Sequence, residues 1–362
     1  MKIMTQILKK HPASLNIHAG HLAKQLIQKE GLKADQVDII PGAAGGPKGL
    51  GLQGLDQAIF GNFLAQSPKR RTLIGSSIGS WRFASILAWG AKEGTERLAK
   101  LYTNLYFDKK MTRHEVGDIC QNMLNDLIQG REKQLIDHPD YHLTVLAIKA
   151  NHIFQSDKTL PLLASVMGIV GSNAIARKYN RLFMQRVISQ PDNNPQFQVN
   201  DEFTTLYQSL NEQNVKPWLM ASASIPVVMP AIHNIPDAPQ GSYRDGGLID
   251  YHIDLPYNSQ GIVLYPHFTD HIIPGWFDKM LKTRRANSEN QARTLLLSPS
   301  QEYLQSLPLG RLPDRKDFTL KGLDQKQRIK LWNQCITESH RMGDEFLEMV
   351  EKQNFAEFLQ NL

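Results

Sequence analysis

Three glycine-framed segments hold the residues best suited to chemistry. The sharpest is Gly75-Ser76-Ser77-Ile78-Gly79, with a serine two residues from a glycine on each side. That frame fits a tight strand-to-helix turn that lifts the Ser77 hydroxyl clear of a sheet, as a nucleophile requires. The glycines remove Cβ atoms that would crowd the turn. The start of the next helix faces the negative charge formed after attack. Ser76 and Ser80 fall outside the frame and read as structural. The bland alternative is a chance Gly-Ser turn.

The second segment, Gly42-Ala43-Ala44-Gly45-Gly46-Pro47-Lys48-Gly49, has two functional readings. A phosphate loop needs a hydroxyl after its lysine, and Gly49 stands there instead. The other reading is an oxyanion hole. Backbone N–H groups of Gly45 and Gly46 would face a developing negative charge, each worth about 2.7–4 kcal/mol in a dry site. A plain turn is the third possibility. Lys48 either steadies the loop, attracts an anionic group, or is only a surface charge.

A serine hydroxyl needs a base. Asp245, in Asp245-Gly246-Gly247, precedes two glycines that permit a sharp turn. Aspartate is a weak base at its usual pKa of about 3.9, so it needs close positioning and desolvation. By pattern alone Asp-Gly-Gly is also a common turn. Of the twelve histidines, His252 and His267 lie nearest a relevant segment, and neither stands in a triad frame.

These residues require elements to hold them. Val37 to Ile40 reads as a short strand emptying into the glycine loop, and Pro47 is placed to open a helix. Thr72 to Gly75 reads as a strand, and Ile78 to Trp89 as a helix. His142 to Ala150 has the continuous apolar character of a buried parallel strand. Ile17 to Glu30 reads as an amphipathic helix, Leu160 to Ile188 as helical, Pro191 to Pro195 as a loop, and Gln325 to Glu357 as a long helical region. Val215 to Ala221 is predicted helical, Gly241 to Gly247 a turn-rich approach to Asp245, and Gly261 to Tyr265 and Thr294 to Leu297 strands. This alternation predicts an α/β fold with a mostly parallel sheet and helices on both faces. We expect a helical extension over 1–36, a catalytic domain over 37–300, and a C-terminal helical extension over 301–362 packed on it.

The bulk numbers narrow the class. With 41% hydrophobic and 21% charged residues, the chain reads as globular rather than disordered. Its +6 charge, from 41 basic against 35 acidic residues, is too dispersed to indicate nucleic acid. Two cysteines exclude a disulfide framework and fit a reducing compartment. Met1 to Lys10 is followed by His11-Pro12 and does not read as a signal peptide. No stretch approaches the roughly 18 apolar residues of a spanning helix. A cytoplasmic or peripheral membrane protein is expected. Leu160 to Val170, with basic Arg177, Lys178 and Arg181, reads either as a core helix with a solvated end or as a lid or contact to an anionic membrane surface.

In their order these segments resemble the bacterial patatin-like phospholipases. Gly45-Gly46-Pro47-Lys48-Gly49 is similar to the oxyanion motif of that family, and Gly75-Ser76-Ser77-Ile78-Gly79 to its elbow. Ala221-Ser222-Ala223-Ser224-Ile225-Pro226 is similar to the segment preceding its catalytic aspartate, and Asp245-Gly246-Gly247 to its carboxylate box. Ala43-Ala44 departs from the Asp-Gly found in many members. The resemblance spans roughly residues 39–250. It implies a three-layer α/β/α fold, a Ser77–Asp245 dyad, Gly45 and Gly46 as oxyanion donors, and Lys48, Gly49, Gly75, Gly79, Gly246 and Gly247 in support. It implies a lipid or acyl ester substrate, with no metal and no cofactor. A catalytically silent lipid- or partner-binding module on the same fold is the alternative.

Overall fold

Short runs of aliphatic and β-branched residues build one central sheet. The computed structural model describes residues 13–192, 198–281 and 283–362. Met1–Lys10 and part of the expected loop Pro191–Pro195 lie outside them. The strands are β1 (Leu15–Ala19), β2 (Val37–Gly42), β3 (Arg71–Ser76), β4 (Tyr141–Ala150), β5 (Met184–Gln190), β6 (Thr205–Ser209), β7 (Ile232–His233), β8 (Ser242–Asp245), β9 (Ile262–Pro266), β10 (Thr294–Pro299) and β11 (Gln360–Asn361). The main path runs β11-β1-β10-β9-β2-β3-β4-β5-β6, with β7 and β8 branching from β4. Pairing is mostly parallel; β1–β10, β4–β5, β4–β8 and β7–β8 are antiparallel.

The helices are α1 (His21–Glu30), α2 (Gln53–Asp56), α3 (Ile78–Trp89), α4 (Ala91–Thr103), α5 (Arg113–Ile128), α6 (Glu132–Ile136), α7 (Thr159–Ile175), α8 (Val215–Ala223), α9 (Gln301–Ser306), α10 (Gln325–Glu338) and α11 (His340–Lys352). They flank the sheet, so the predicted α/β class is the one observed. On one face α3 packs against β2, β3 and β4, beside α8 and α5. Ile40, Leu73, Val145 and Ala147 point into that layer. Their alternate neighbours Ile39, Ile74 and Leu146 point the other way, under Ile253 and Leu255. Farther along β4, Ile148 and Ala150 are covered by Leu162 and Ile169 of α7.

Four element expectations change. Leu15–Ala19 is a strand and the first helix begins only at His21. The burial of β1 alternates along its length, a two-residue period that 14 residues of averaged helical pattern concealed. Leu160–Ile188 divides into α7 and β5, since Met184–Ile188 pairs with β4. Ser242–Asp245, read as turn-rich, is a strand on β4. The C-terminal helical region breaks at Ser339, whose hydroxyl accepts the Gly54 N–H, and resumes as α11.

Candidate active site

β4 organises the site. Its one edge carries β3 as far as the Ser76–Leu146 pair and then β8 from the Ala147–Asp245 pair onward. Two strands from distant parts of the chain thus meet end to end on the same edge. The turn after β3 presents Ser77, and the end of β8 presents Asp245. Ser77 Oγ donates to Asp245 Oδ2 at 3.0 Å, with both residues buried.

The turn is strained as a nucleophile elbow would be. Ser77 has φ 53° and ψ −126°, which costs a non-glycine residue about 1–3 kcal/mol. Several contacts hold it there. The Ser77 N–H donates to Ser222 Oγ at 2.8 Å, and that hydroxyl donates to the Leu146 carbonyl at 2.6 Å. Ser80 Oγ donates to the Ser77 carbonyl at 2.7 Å. Ser76, beneath the turn, and Ser80 therefore lie outside the Ser77–Asp245 contact. Gly75 and Gly79 are required by close backbone approach. A Cβ on Gly75 would lie 2.5 Å from Ser80, and one on Gly79 only 1.9 Å from the Gly42 carbonyl oxygen.

That last contact joins the glycine loop to the elbow. The chain leaves β2 at Gly42 and enters a 3₁₀ turn over Gly46–Leu52, with Pro47 in its first turn. Gly45 and Gly46 sit at its start, where the first N–H groups have no partner inside the helix. Gly46 has φ +58°, a conformation that favours glycine. A Cβ on Gly45 would meet the Phe268 ring at 2.5 Å. Lys48 extends to the cavity mouth, 3.5 Å from Asp314, and Gly49 packs against Ile78 and Arg82. Arg82 on α3 makes a buried two-bond ion pair with Asp56 on α2, at 2.9 and 2.7 Å. It ties the helix after the loop to the helix after the elbow.

Asp245 is held on both oxygens. Oδ1 accepts the Gly247 N–H at 2.7 Å, leaving Oδ2 for Ser77. Gly246 and Gly247 admit no side chain: a Cβ would fall 2.3 Å from the Leu146 carbonyl or 2.8 Å from Ala44 Cβ. Burial pushes the Asp245 carboxyl up to about 6, against the pull of Arg315, the Gly247 N–H, Ser77 and Lys279. Desolvation has therefore brought the carboxylate toward neutral pH, where a general base is most useful.

The two histidines lie aside. His252 is fully buried, accepts the Ile273 N–H at 3.0 Å, and packs edge-on against His267 at 4.3 Å. Burial, with repulsion from His267 and nearby cations, holds its ring well below 6.5. Burial likewise pushes His267 down to about 3. Among the described residues, no histidine shares a hydrogen bond with Ser77.

Two cavities meet at Ser77. The larger, about 520 Å³, is lined by Ala44, Gly45, Lys48, Asp245, Tyr251, Lys279 and Arg315 among others. The second, about 350 Å³, is apolar and runs between Trp81, Leu105, Phe107, Val116, Met123 and Met229. Ser77, Ile225 and Arg315 belong to both walls. Sequence reasoning missed Arg315 and Lys279. Arg315 opens a short 3₁₀ turn after the Asp314 cap, and its only local signal is the Asp314-to-Asp317 capping box.

No family model matches the chain, and no curated protein matches it. Among solved structures it is similar to VipD from Legionella pneumophila, at 14% identity and a TM-score of 0.33. The match covers 75% of this chain and 56% of VipD, so the chain spans little more than half of that protein's length. A likeness this distant carries no argument about activity, and the site geometry has to carry it.

Proposed function

We propose that the chain is a serine acyl hydrolase of the patatin-like type, cleaving lipid acyl esters through Ser77 and Asp245. The observation that carries this reading is the 3.0 Å hydrogen bond from a strained, buried serine to a buried carboxylate. Ser77 Oγ attacks the ester carbonyl carbon while its proton passes to Asp245 Oδ2. The oxyanion is held by the N–H groups of Gly45 and Gly46. The carbonyl re-forms, the ester C–O bond breaks, and the leaving alcohol takes the proton from Asp245. Water then gives a proton to Asp245 and attacks acyl-Ser77, releasing the fatty acid and restoring the serine.

A lipid substrate is supported by the apolar cavity opening at Ser77, which falls in the volume range of small-molecule sites. Contact with an anionic membrane surface is part of the proposal. Helix α7 buries Leu162, Ser165 and Ile169 but turns Leu160, Leu163, Met167 and Val170 outward, and Lys178 and Arg181, in the turn that follows the helix, are exposed. Arg177 is not available for this, being bound to Glu202 and the Ile249 carbonyl. Among the described residues no helix is long and apolar enough to cross a membrane.

A fluorophosphonate probe tests the nucleophile directly. We expect labelling of the native chain, a labelled peptide containing Ser77, and none in Ser77→Ala. An unlabelled native protein would favour the catalytically silent binding module.

A further inference from the structure

We propose that Arg315 and Tyr102 form a polar patch in the otherwise apolar cavity, and that it selects acyl groups bearing a neutral oxygen, a hydroxyl or ketone, on one of the first carbons beyond the ester carbonyl. This rests on the hydrolase reading above, which puts that carbonyl at Ser77. One short segment carries the arginine. Its residues Asp314, Arg315 and Lys316 line the larger cavity, while Arg315, Phe318 and Thr319 line the apolar one. The 3₁₀ turn Arg315–Phe318 is fixed from behind. Buried Asp317 accepts the Trp332 Nε1–H at 2.9 Å and pairs with Arg311. The Phe318 ring meets Phe107 edge-on at 4.9 Å and lies 4.3 Å beneath the Arg328 guanidinium.

Gly46 fixes where the patch lies along a substrate. A Cβ there would come 2.9 Å from Arg315 Nε, so the guanidinium leans on the loop assigned to the oxyanion. On its other side it faces Tyr102 of α4, which also lines the apolar cavity. Burial raises the Tyr102 phenol, and the Arg315 charge opposes that rise. Ser77 and Arg315 both border the two cavities. A chain that leaves its carbonyl at Ser77 and enters the apolar cavity therefore passes Arg315 with its first carbons.

A plain fatty acyl chain suits this patch badly. A guanidinium carries several N–H donors, and the Tyr102 oxygen cannot accept them all. Arg315 is exposed, which leaves the others open to water or to a ligand. Among the described residues no carboxylate is within ion-pair distance of it. Methylene groups packed on the guanidinium strip water from those donors and return no hydrogen bond. An oxygen on the second or third acyl carbon accepts from the Arg315 fork and from the Tyr102 O–H instead. The neighbouring base requires that oxygen to be neutral. Burial raises the Asp245 carboxyl and Arg315 draws it down, so the two groups lie within each other's field. An anionic group set beside Arg315 would face the Asp245 carboxylate as a like charge.

The test compares esters of one alcohol with decanoate, α-hydroxydecanoate and β-hydroxydecanoate, all below their aggregation limits. Each kcat/KM is divided by that ester's rate of alkaline hydrolysis, which removes the intrinsic effect of the hydroxyl. We expect the full-length native chain to prefer a hydroxyacyl ester over the plain one by at least about tenfold, the scale of one charge-assisted hydrogen bond. Arg315→Met and Tyr102→Phe should each bring that ratio close to one. A ratio between substrates does not depend on how much of a variant is folded, so a destabilised variant still gives a reading. Equal rates, or preference for the plain ester, overturn the proposal, as does a ratio that survives both substitutions. An equal loss on every ester in Arg315→Met also overturns it, because that result makes Arg315 a donor to the oxyanion. Binding is read separately on Ser77→Ala by the fluorescence of Trp81, which lines the apolar cavity. Tighter binding of a hydroxyacyl ester with no hydrolysis by the native chain sinks the hydrolase reading and leaves the patch standing. Hydrolysis of every ester without preference does the reverse.

Discussion

Ser77 Oγ and Asp245 Oδ2 lie 3.0 Å apart although 168 residues separate them in the chain. Strand β4 brings them together by pairing first with β3 and then, along the same edge, with β8. The Leu146 carbonyl, at that junction, accepts the Ser222 hydroxyl that in turn accepts the Ser77 N–H. One strand therefore sets the separation of the two groups.

If Asp245 is the base, its protonation state governs the acid limb of activity. It acts deprotonated, so kcat/KM for an uncharged ester should be level above about pH 6 and fall tenfold per unit below it. Asp245→Asn should lose about 10²–10⁴-fold in rate while remaining folded by circular dichroism. His252→Ala should keep the limb where it was. An acid limb that moves in His252→Ala, or a fully active Asp245→Asn, would remove the dyad.

The same burial has the opposite sign for stability. With its carboxyl raised from 3.8 to about 6, folded Asp245 retains a proton that the unfolded chain has released. Its contribution is full below about pH 4 and is lost as pH rises through about 6. Two units correspond to roughly 3 kcal/mol. Asp245→Asn should therefore unfold at higher urea than the native chain at pH 8, with the gap closing toward pH 4. A gap independent of pH would mean that this carboxyl is not raised in the folded protein.

Two glycine substitutions should differ in sign. Gly79→Ala drives a Cβ to 1.9 Å from the Gly42 oxygen, a backbone atom that cannot give way, and should cost at least about 3 kcal/mol or prevent folding. Gly171→Ala in α7 meets open space and should stabilise by about 0.5–1 kcal/mol. Thermal melts of both proteins decide this.

The outward face of α7 should carry membrane contact. Co-sedimentation with vesicles rich in anionic lipid should exceed that with neutral vesicles. Replacing Leu160 and Met167, which are 81% and 75% exposed, by Gln should reduce it several-fold. Equal recovery with and without vesicles would end the idea.

How much was legible in the sequence depended on how local the cause was. The Ser77 turn could be read because a glycine frame, the preceding strand and the following helix all lie within about twenty residues. The α/β class followed from the same alternation. Strand β5 could not be separated from α7, because Met184–Ile188 is a short apolar run that fits either period until β4 pairs with it. Lys279 and Arg315 were out of reach for a different reason. Their importance comes from loops converging across the fold, and neither belongs to a pattern that spacing can reveal.

The backbone contact between Gly42 and Gly79 has a consequence for how the protein would lose activity. The loop carrying Gly45 and Gly46 and the turn carrying Ser77 rest on each other with no side chain between them. Neither can loosen without releasing the other. Heat or denaturant should therefore dismantle the candidate site in one cooperative event, and a folded protein with only one of the two segments in place should not accumulate.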